Sequence, residues 1–296
     1  MKHLLLSMMC CCALLAGAQQ VSVVSTRSLG AAIGEPAYYP VLDASGSRLL
    51  FAAGEQYGLK LYDFATGKVT PVSKERCAGI DARFDHSGNV YYVTQSLNEN
   101  NLIYRSGYCY HVASAESELV LEPQHGAMNY AVGTQGVAMR GPRKNYASAR
   151  NIGTAVDVEG SELLITVNGK LNRYSPVPSH AGYLWPSLSP DGTKVAFCAA
   201  GTGIIVTDLK GNVLARLGNY EMPCWYNNDY VVAQNATDDG HQFTSSQLLL
   251  LKADGSWRHE LTEPYSMAMQ PTTATGKIVY TTIDGQLYVM EISIND

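Results

Sequence analysis

Charge is in short supply in this 296-residue chain: Lys, Arg, Asp and Glu make up 16% of it, against roughly 25% in an ordinary soluble domain. The formal net charge is −5, which excludes the basic surface that general nucleic-acid binding requires. Long apolar runs are missing too. The stretch from Leu4 to Ala16 is shorter than the roughly 20 residues a membrane-spanning helix needs, and nothing later comes closer. No C-x-x-C pair occurs, so neither a zinc ribbon nor a thioredoxin-type redox motif is expected. The sequence has no G-x-S-x-G elbow, no G-x-x-x-x-G-K-[ST] loop, no G-x-G-x-x-G after a strand and no H-E-x-x-H. These absences remove the local signatures of α/β-hydrolases, P-loop and dinucleotide-binding enzymes and zinc proteases. No catalytic residue, cofactor or resident metal is therefore expected.

What is present begins with a leader. Lys2 and His3 precede the apolar run, and Ala16-Gly17-Ala18 has the small-residue spacing of a cleavage site. The pattern predicts a signal peptide over 1–18, cut after Ala18, and an exported mature chain, periplasmic or extracellular. The residues before Cys10, Cys11 and Cys12 lack the Leu and small residues of a lipobox, so lipid anchoring is not expected.

Gly is abundant at 27 residues, and Tyr, at 19, far outnumbers Phe, at 5. That composition fits an all-β chain with many tight turns. A recurring unit supports it: an apolar residue, a short polar turn ending in Gly, then a β-run closing on an aromatic. Asp43-Ala44-Ser45-Gly46 leads to Phe51, Asp85-His86-Ser87-Gly88 to Tyr92, and Ser189-Pro190-Asp191-Gly192 to Phe197. Fainter copies lie around Gly136, Asn228 and Gly276. The anchors recur at about the 40–50 residues of a four-stranded propeller blade. The reading is one domain over 19–296: a six-bladed β-propeller of four-stranded antiparallel blades. The last repeat lacks a fourth strand, and Val21–Thr26 is an unassigned β-run. It is predicted to complete the sheet built from Met269–Ile292 and so hide two sheet edges.

The segment Trp185–Asn212, with Ser189-Pro190-Asp191-Gly192 followed by a strand ending in Phe197, resembles the WD-like repeat of TolB-type β-propellers. The other units depart at the positions of Pro190 or Asp191. The resemblance implies the propeller fold over most of the mature chain. The separate N-terminal domain of TolB is missing, so a role in the Tol-Pal system is not implied.

In such a ring, the turns between first and second strands gather on one face. The loops between second and third strands, and the links between blades, gather on the other, where binding sites usually sit. The loop-side face is expected to carry Glu35, Tyr38, Tyr39, Asp81, His125, Asn129, Glu221 and Tyr265. Among them, Arg83, Tyr130, His180, Tyr183, Trp185 and Trp225 are candidate contacts for a partner or ligand, because Arg and aromatic side chains dominate recognition. The segment 140–150 is locally basic through Arg140, Arg143, Lys144 and Arg150; Arg143 and Tyr146 are placed on its loop, able to fold over the channel mouth. Asp238 and Asp239 make a locally acidic loop, with too few alternating oxygens for a calcium site. The function expected is non-catalytic: a monomeric propeller binding an envelope protein, a peptide or a small ligand. The alternative is a propeller hydrolase or lyase, in which His125 and His180 with Asp81 or Glu221 converge in the channel.

Four cysteines lie beyond the leader: Cys77, Cys109, Cys198 and Cys224. Cys198 and Cys224 fall on adjacent blades. Sheets pack about 10 Å apart, whereas a disulfide needs Cα atoms within about 7 Å. Both are expected as free thiols.

Overall fold

Six antiparallel sheets follow one another along the chain, as the six turn anchors predict. The computed structural model describes residues 20–54, 57–142, 146–148, 152–178, 181–274 and 276–295; the leader predicted over 1–18 lies outside them. Strand β1 (Gln20–Ser28) and the short helix α1 (Gly30–Ile33) come first. The first full sheet is β2 (Ala37–Leu42), β3 (Arg48–Ala53), β4 (Tyr57–Asp63) and β5 (Val69–Arg76). The second is β6 (Arg83–Phe84), β7 (Val90–Leu97), β8 (Ile103–His111) and β9 (Glu116–His125). The third contains β10 (Asn129–Gly133), β11 (Val137–Arg140), β12 (Tyr146–Ser148), β13 (Ala155–Glu159), β14 (Glu162–Val167) and β15 (Lys170–Tyr174). The fourth is β16 (Tyr183–Leu188), β17 (Lys194–Ala199), β18 (Gly203–Asp208) and β19 (Val213–Gly218), and the fifth β20 (Glu221–Trp225), β21 (Tyr230–Asp238), β22 (Phe243–Lys252) and β23 (Arg258–Glu260). A 3-10 turn at Pro264–Ser266 leads into β24 (Met269–Ala274), β25 (Lys277–Thr281) and β26 (Leu287–Asn295).

The missing fourth strand of the last sheet is β1. The order is β1-β26-β25-β24, and β1 pairs antiparallel with β26 from Gln20↔Asn295 to Ser28↔Tyr288, with one irregularity between Val23 and Ser25. The ring is closed by the first strand lying beside the last.

The middle strands of the blades read as continuous apolar runs, because each is covered on both faces. Val195–Ala199 and Leu248–Leu251 are buried throughout. Leu49 and Phe51 pack with Val279, Leu287 and Val289 of the sixth sheet. Phe197 and Ile205 pack with Val156 and Ile165 of the third, and Val232 and Leu248 pack with Ile278 and Tyr280. The core is thus a set of layers between neighbours. Each fully buried Leu or Phe in them contributes about 1.5–3 kcal/mol relative to exposure, which no blade obtains alone.

The third sheet has two strands more than the others, in the order β12-β11-β10-β13-β14-β15. Two three-stranded halves meet edge to edge through only Val132↔Val156 and Gly133↔Ala155. An ion-pair cluster reinforces this short seam. Arg140 on β11 bonds Asp157 (Nε to Oδ2, 2.9 Å) and Glu159 (Nη1 to Oε1, 2.8 Å) on β13, and Arg173 on β15 continues the cluster to Glu159 and Glu162. Arg140, grouped by sequence with the basic loop, is 7% exposed and neutralised. It belongs to the interior because its side chain reaches past β10 to the carboxylates of β13.

The repeated turn residues act through their side chains. The Asp43 carboxylate accepts bonds from the Ser47 and Arg48 amides, from the Ser45 and Ser47 hydroxyls and from Arg48 Nε. Asp85 takes the Asn89 amide, Ser189 Oγ the Thr193 and Lys194 amides, and Asn227 the Asp229 and Tyr230 amides. These side chains stand in for backbone partners at the start of each second strand. Burial alone would raise the Asp43 pKa, but the bonds from Arg48, Ser45 and Ser47 outweigh it and hold it below the usual range. A depressed carboxyl stabilises the fold above its unfolded pKa of about 3.9 and loses that contribution as pH falls through the folded value. The urea midpoint is therefore expected to drop between pH 7 and pH 3, and Asp43→Asn to narrow that gap. An unchanged gap in the variant would contradict the assignment.

Cys77, Cys109, Cys198 and Cys224 are free thiols. Cys198 Sγ lies 3.7 Å from the Tyr220 carbonyl and Cys224 Sγ 3.6 Å from that of Val232.

Candidate functional site

The first strands of the sheets, with β13, surround a central cavity of about 700 Å³. A repeated irregularity shapes its wall. In four of these strands a residue just before proline has a left-handed backbone: Tyr39 (φ 52°) before Pro40, Trp185 (50°) before Pro186, Met222 (51°) before Pro223 and Gln270 (52°) before Pro271. Asp81 (58°), before Ala82, occupies the corresponding place in the second blade. At each proline step the ladder slips by one residue: Tyr38↔Ala52 is followed by Val41↔Leu50, and Leu184↔Cys198 by Ser187↔Ala196. The fifth and sixth blades slip in the same way at Glu221/Cys224 and Met269/Thr272.

The physical cause is readable. Proline has no N–H for the ladder, and a bulge is where a strand tolerates it. The bulge places one extra residue, and the left-handed turn re-aims its side chain. None of the five is glycine, so each carries roughly 1–2 kcal/mol of backbone strain. All five line the cavity.

Glutamine side chains fix two of these bulges in sequence around the ring. The buried Gln234 on β21 accepts the Gln270 amide at 2.9 Å, and Gln270 Oε1 accepts the Tyr39 amide at 2.8 Å. This belt runs from the fifth blade through the sixth to the first. Thr281 of β25 also donates to the Ala37 carbonyl at 2.8 Å.

Arg83, Tyr130, Tyr183, Trp185 and Trp225, singled out in the sequence, all line the cavity, but they are not equally available. Trp225 is 5% exposed, with its indole N–H donating to the Ser187 carbonyl at 2.9 Å and Lys194 Nζ 5.7 Å from its ring centroid. Tyr183 is buried, and its hydroxyl is engaged by the Val177 backbone. Both consolidate the wall. Trp185 is half-buried and sits on its bulge. The Arg83 guanidinium lies 5.8 Å from the Tyr130 ring centroid, donates to the Ala82 carbonyl at 2.9 Å and reaches Asp81 at 3.4 Å. The Tyr130 hydroxyl is buried without a hydrogen-bond partner among the described residues, and burial raises its pKa strongly. His180 and Arg143 lie outside the described residues. For Tyr146 the backbone alone is described, at the start of β12.

Sequence reasoning missed Met222 and Gln270 as wall residues, although an X-Pro step near the start of four first strands was there to be found. Burial pushes the Tyr39 phenol up, with Asp81 and Cys77 adding to the rise, and burial pushes the Cys224 thiol up to about 12. Both groups are neutral near pH 7. Glu221 and His125 are not among the lining residues; His125 is exposed, with Nδ1 3.0 Å from the Ile103 carbonyl. Among the described residues no group of three or more His, Cys, Asp or Glu is placed to hold a metal ion. The wall combines the part-buried Arg83, the carboxylates of Asp81, Asp85 and Asp157, amides and flat aromatic surface, which suits holding a ligand in place.

No protein family and no curated protein matches the chain. Solved structures do. TolB from Acinetobacter baumannii is similar at 17% identity and a TM-score of 0.55, over 80% of this chain and 57% of that one. The chain thus spans a little over half the length of that TolB. A chain of the mitotic checkpoint complex aligns at 10% identity and TM-score 0.56, covering 94% of each. An oligogalacturonate lyase in complex with manganese aligns at 11% and 0.50, over 87% of this chain and 78% of that one. No helix among the described residues is long and apolar enough to cross a membrane. At these identities the likeness is one of fold: the chain is a six-bladed β-propeller of the same architecture as the propeller of TolB.

Proposed function

We propose that this protein is an exported, non-catalytic binding propeller that holds an envelope protein segment, a peptide or a small ligand at the loop-side mouth of its channel. The observation that carries the reading is the set of left-handed, non-glycine residues, four of them on bulges, that line one cavity. Backbone strain of this kind clusters at ligand sites. Arg83 beside Tyr130 and the half-buried Trp185 supply a cation and apolar surface, a combination suited to a carboxylate or phosphate next to a flat group. Export rests on the leader over 1–18.

Trp185→Ala and Arg83→Ala are each expected to weaken capture of the partner from a native envelope extract by about tenfold, the effect of losing one central contact. Secretion and melting temperature should change little. Asp191→Ala, on the opposite face, should keep capture. If the turn-face variant loses the partner while Trp185→Ala and Arg83→Ala retain it, the functional face is misassigned.

A further inference from the structure

Exposed large apolar residues are distributed unevenly. One group sits on outer strands: Val23 and Val24 on β1, Leu119 on β9, Leu171 on β15, Val213 and Leu214 on β19. The rest lie at second-to-third-strand loops, links or the first residues of inner strands, which topology puts on the loop-side face. Tyr57, Leu97, Leu102 and Leu184 belong to the first, second and fourth blades. Phe243 (38% exposed), Tyr265 (85%) and Ile283 (50%) belong to the fifth and sixth. None of these exposed residues falls in a turn of the opposite face.

The fifth and sixth blades add charge of one sign to that arc. Glu221 begins β20, Asp238 and Asp239 lie in the β21–β22 hairpin, Glu263 is in the link before β24 and Asp284 is in the β25–β26 loop; all are exposed. The Lys and Arg residues of these two blades are Lys252, Arg258, Lys277 and, on β1, Arg27. The first three flank turns of the other face, where Lys277 Nζ bonds the Gly46 carbonyl at 2.7 Å, and the Arg27 guanidinium lies 5.8 Å from the Phe64 ring centroid. No described Lys or Arg offsets the carboxylates of the arc. The 3-10 turn that holds Tyr265 is anchored to β22, with Ser266 Oγ donating to the Ser246 carbonyl and the Ala268 amide to the same oxygen. Tyr265 is thus presented from a fixed base.

We infer that the loop-side arc of the fifth and sixth blades is a docking surface for a partner protein segment bearing Lys or Arg beside aliphatic or aromatic side chains. Complementary charge would steer such a segment to the arc, and the exposed Phe243, Tyr265 and Ile283 would provide the apolar contacts that hold it. An anionic bilayer is the wrong partner for five uncompensated carboxylates. The surface lies outside the channel wall, so this inference does not depend on the channel reading.

The test uses labelled peptides and fluorescence anisotropy on the full mature chain. A short peptide alternating lysine and leucine is expected to bind, and a glutamate–leucine peptide is not. A lysine–serine peptide should bind at least about tenfold more weakly, as should the lysine–leucine peptide to Tyr265→Ser. The exposure of Tyr265 makes misfolding an unsuitable explanation for that loss, and an unchanged melting curve checks it. Asp238→Asn with Asp239→Asn should weaken binding and flatten its salt dependence. Equal binding of the lysine–serine peptide, undiminished binding to Tyr265→Ser, adsorption to phosphatidylglycerol vesicles in place of peptide, or self-association abolished by Tyr265→Ser would each overturn the proposal.

Discussion

Removal of residues 20–28 is expected to abolish cooperative folding of the whole ring. Strand β1 contributes little burial of its own: Val21 is its one buried residue, and the rest are exposed. Its contribution is the ladder to β26 over eight registered pairs. Without it, β26 becomes an unpaired edge, and Ile292 and Met290, which share a cluster with Val21, lose cover. Because each interblade layer depends on the next, loosening the sixth sheet also loosens its contacts with the first and fifth. The truncated chain should show a broad thermal transition at least about 10 °C lower, or aggregate. Circular dichroism melts of the two chains would decide it; a sharp transition at the original temperature would show that closure is not what holds the ring.

Arg140→Met is the point substitution expected to cost most. It leaves the Asp157 carboxylate, 5% exposed, without its partner. Breaking a buried ion pair from one side typically costs about 3–5 kcal/mol. The double variant Arg140→Met, Asp157→Leu should recover most of the loss, since removing both charges is often close to neutral. Burial already pushes the Asp157 pKa up, against the pull of Arg140. Without the guanidinium it would rise further, and a carboxyl with a raised folded pKa destabilises most once pH exceeds its unfolded pKa. The deficit of Arg140→Met should therefore be smaller at pH 5 than at pH 8. Urea unfolding of the four chains of the cycle at both values gives the numbers. A deficit under about 1 kcal/mol, the scale of an exposed pair, would show the charges to be solvated.

Much of this fold was legible because its signals are local. Asp43, Asp85 and Ser189 mark their turns within five residues of the amides they bind, and the apolar runs of the middle strands need no partner to be recognised. Closure by β1 was inferred from a missing strand, an argument from counting. What escaped depends on distance. The pairing of Arg140 with Asp157 joins residues that sequence inspection put in a basic loop and in no motif. The two extra strands of the third sheet hide in spacing that also fits one long blade with a loop. The prolines at 40, 186, 223 and 271 were visible, but the left-handed residue before each is a result of ladder register. That register exists only once the neighbouring strand is in place. Trp225 shows the opposite limit: its type points to contact, while its surroundings make it a packing residue.

The seam between β1 and β26 also has a consequence in time. Of the strands in the ring, β1 is synthesised first and β26 last. The sixth sheet therefore cannot be completed before β26 is made, and until then no intermediate has a closed ring. A chain built this way keeps its ring open until β26 has been made. The belt from Gln234 through Gln270 to Tyr39 crosses the junction between the sixth and first blades. The mouth of the channel thus takes its final shape in the same late step that closes the ring.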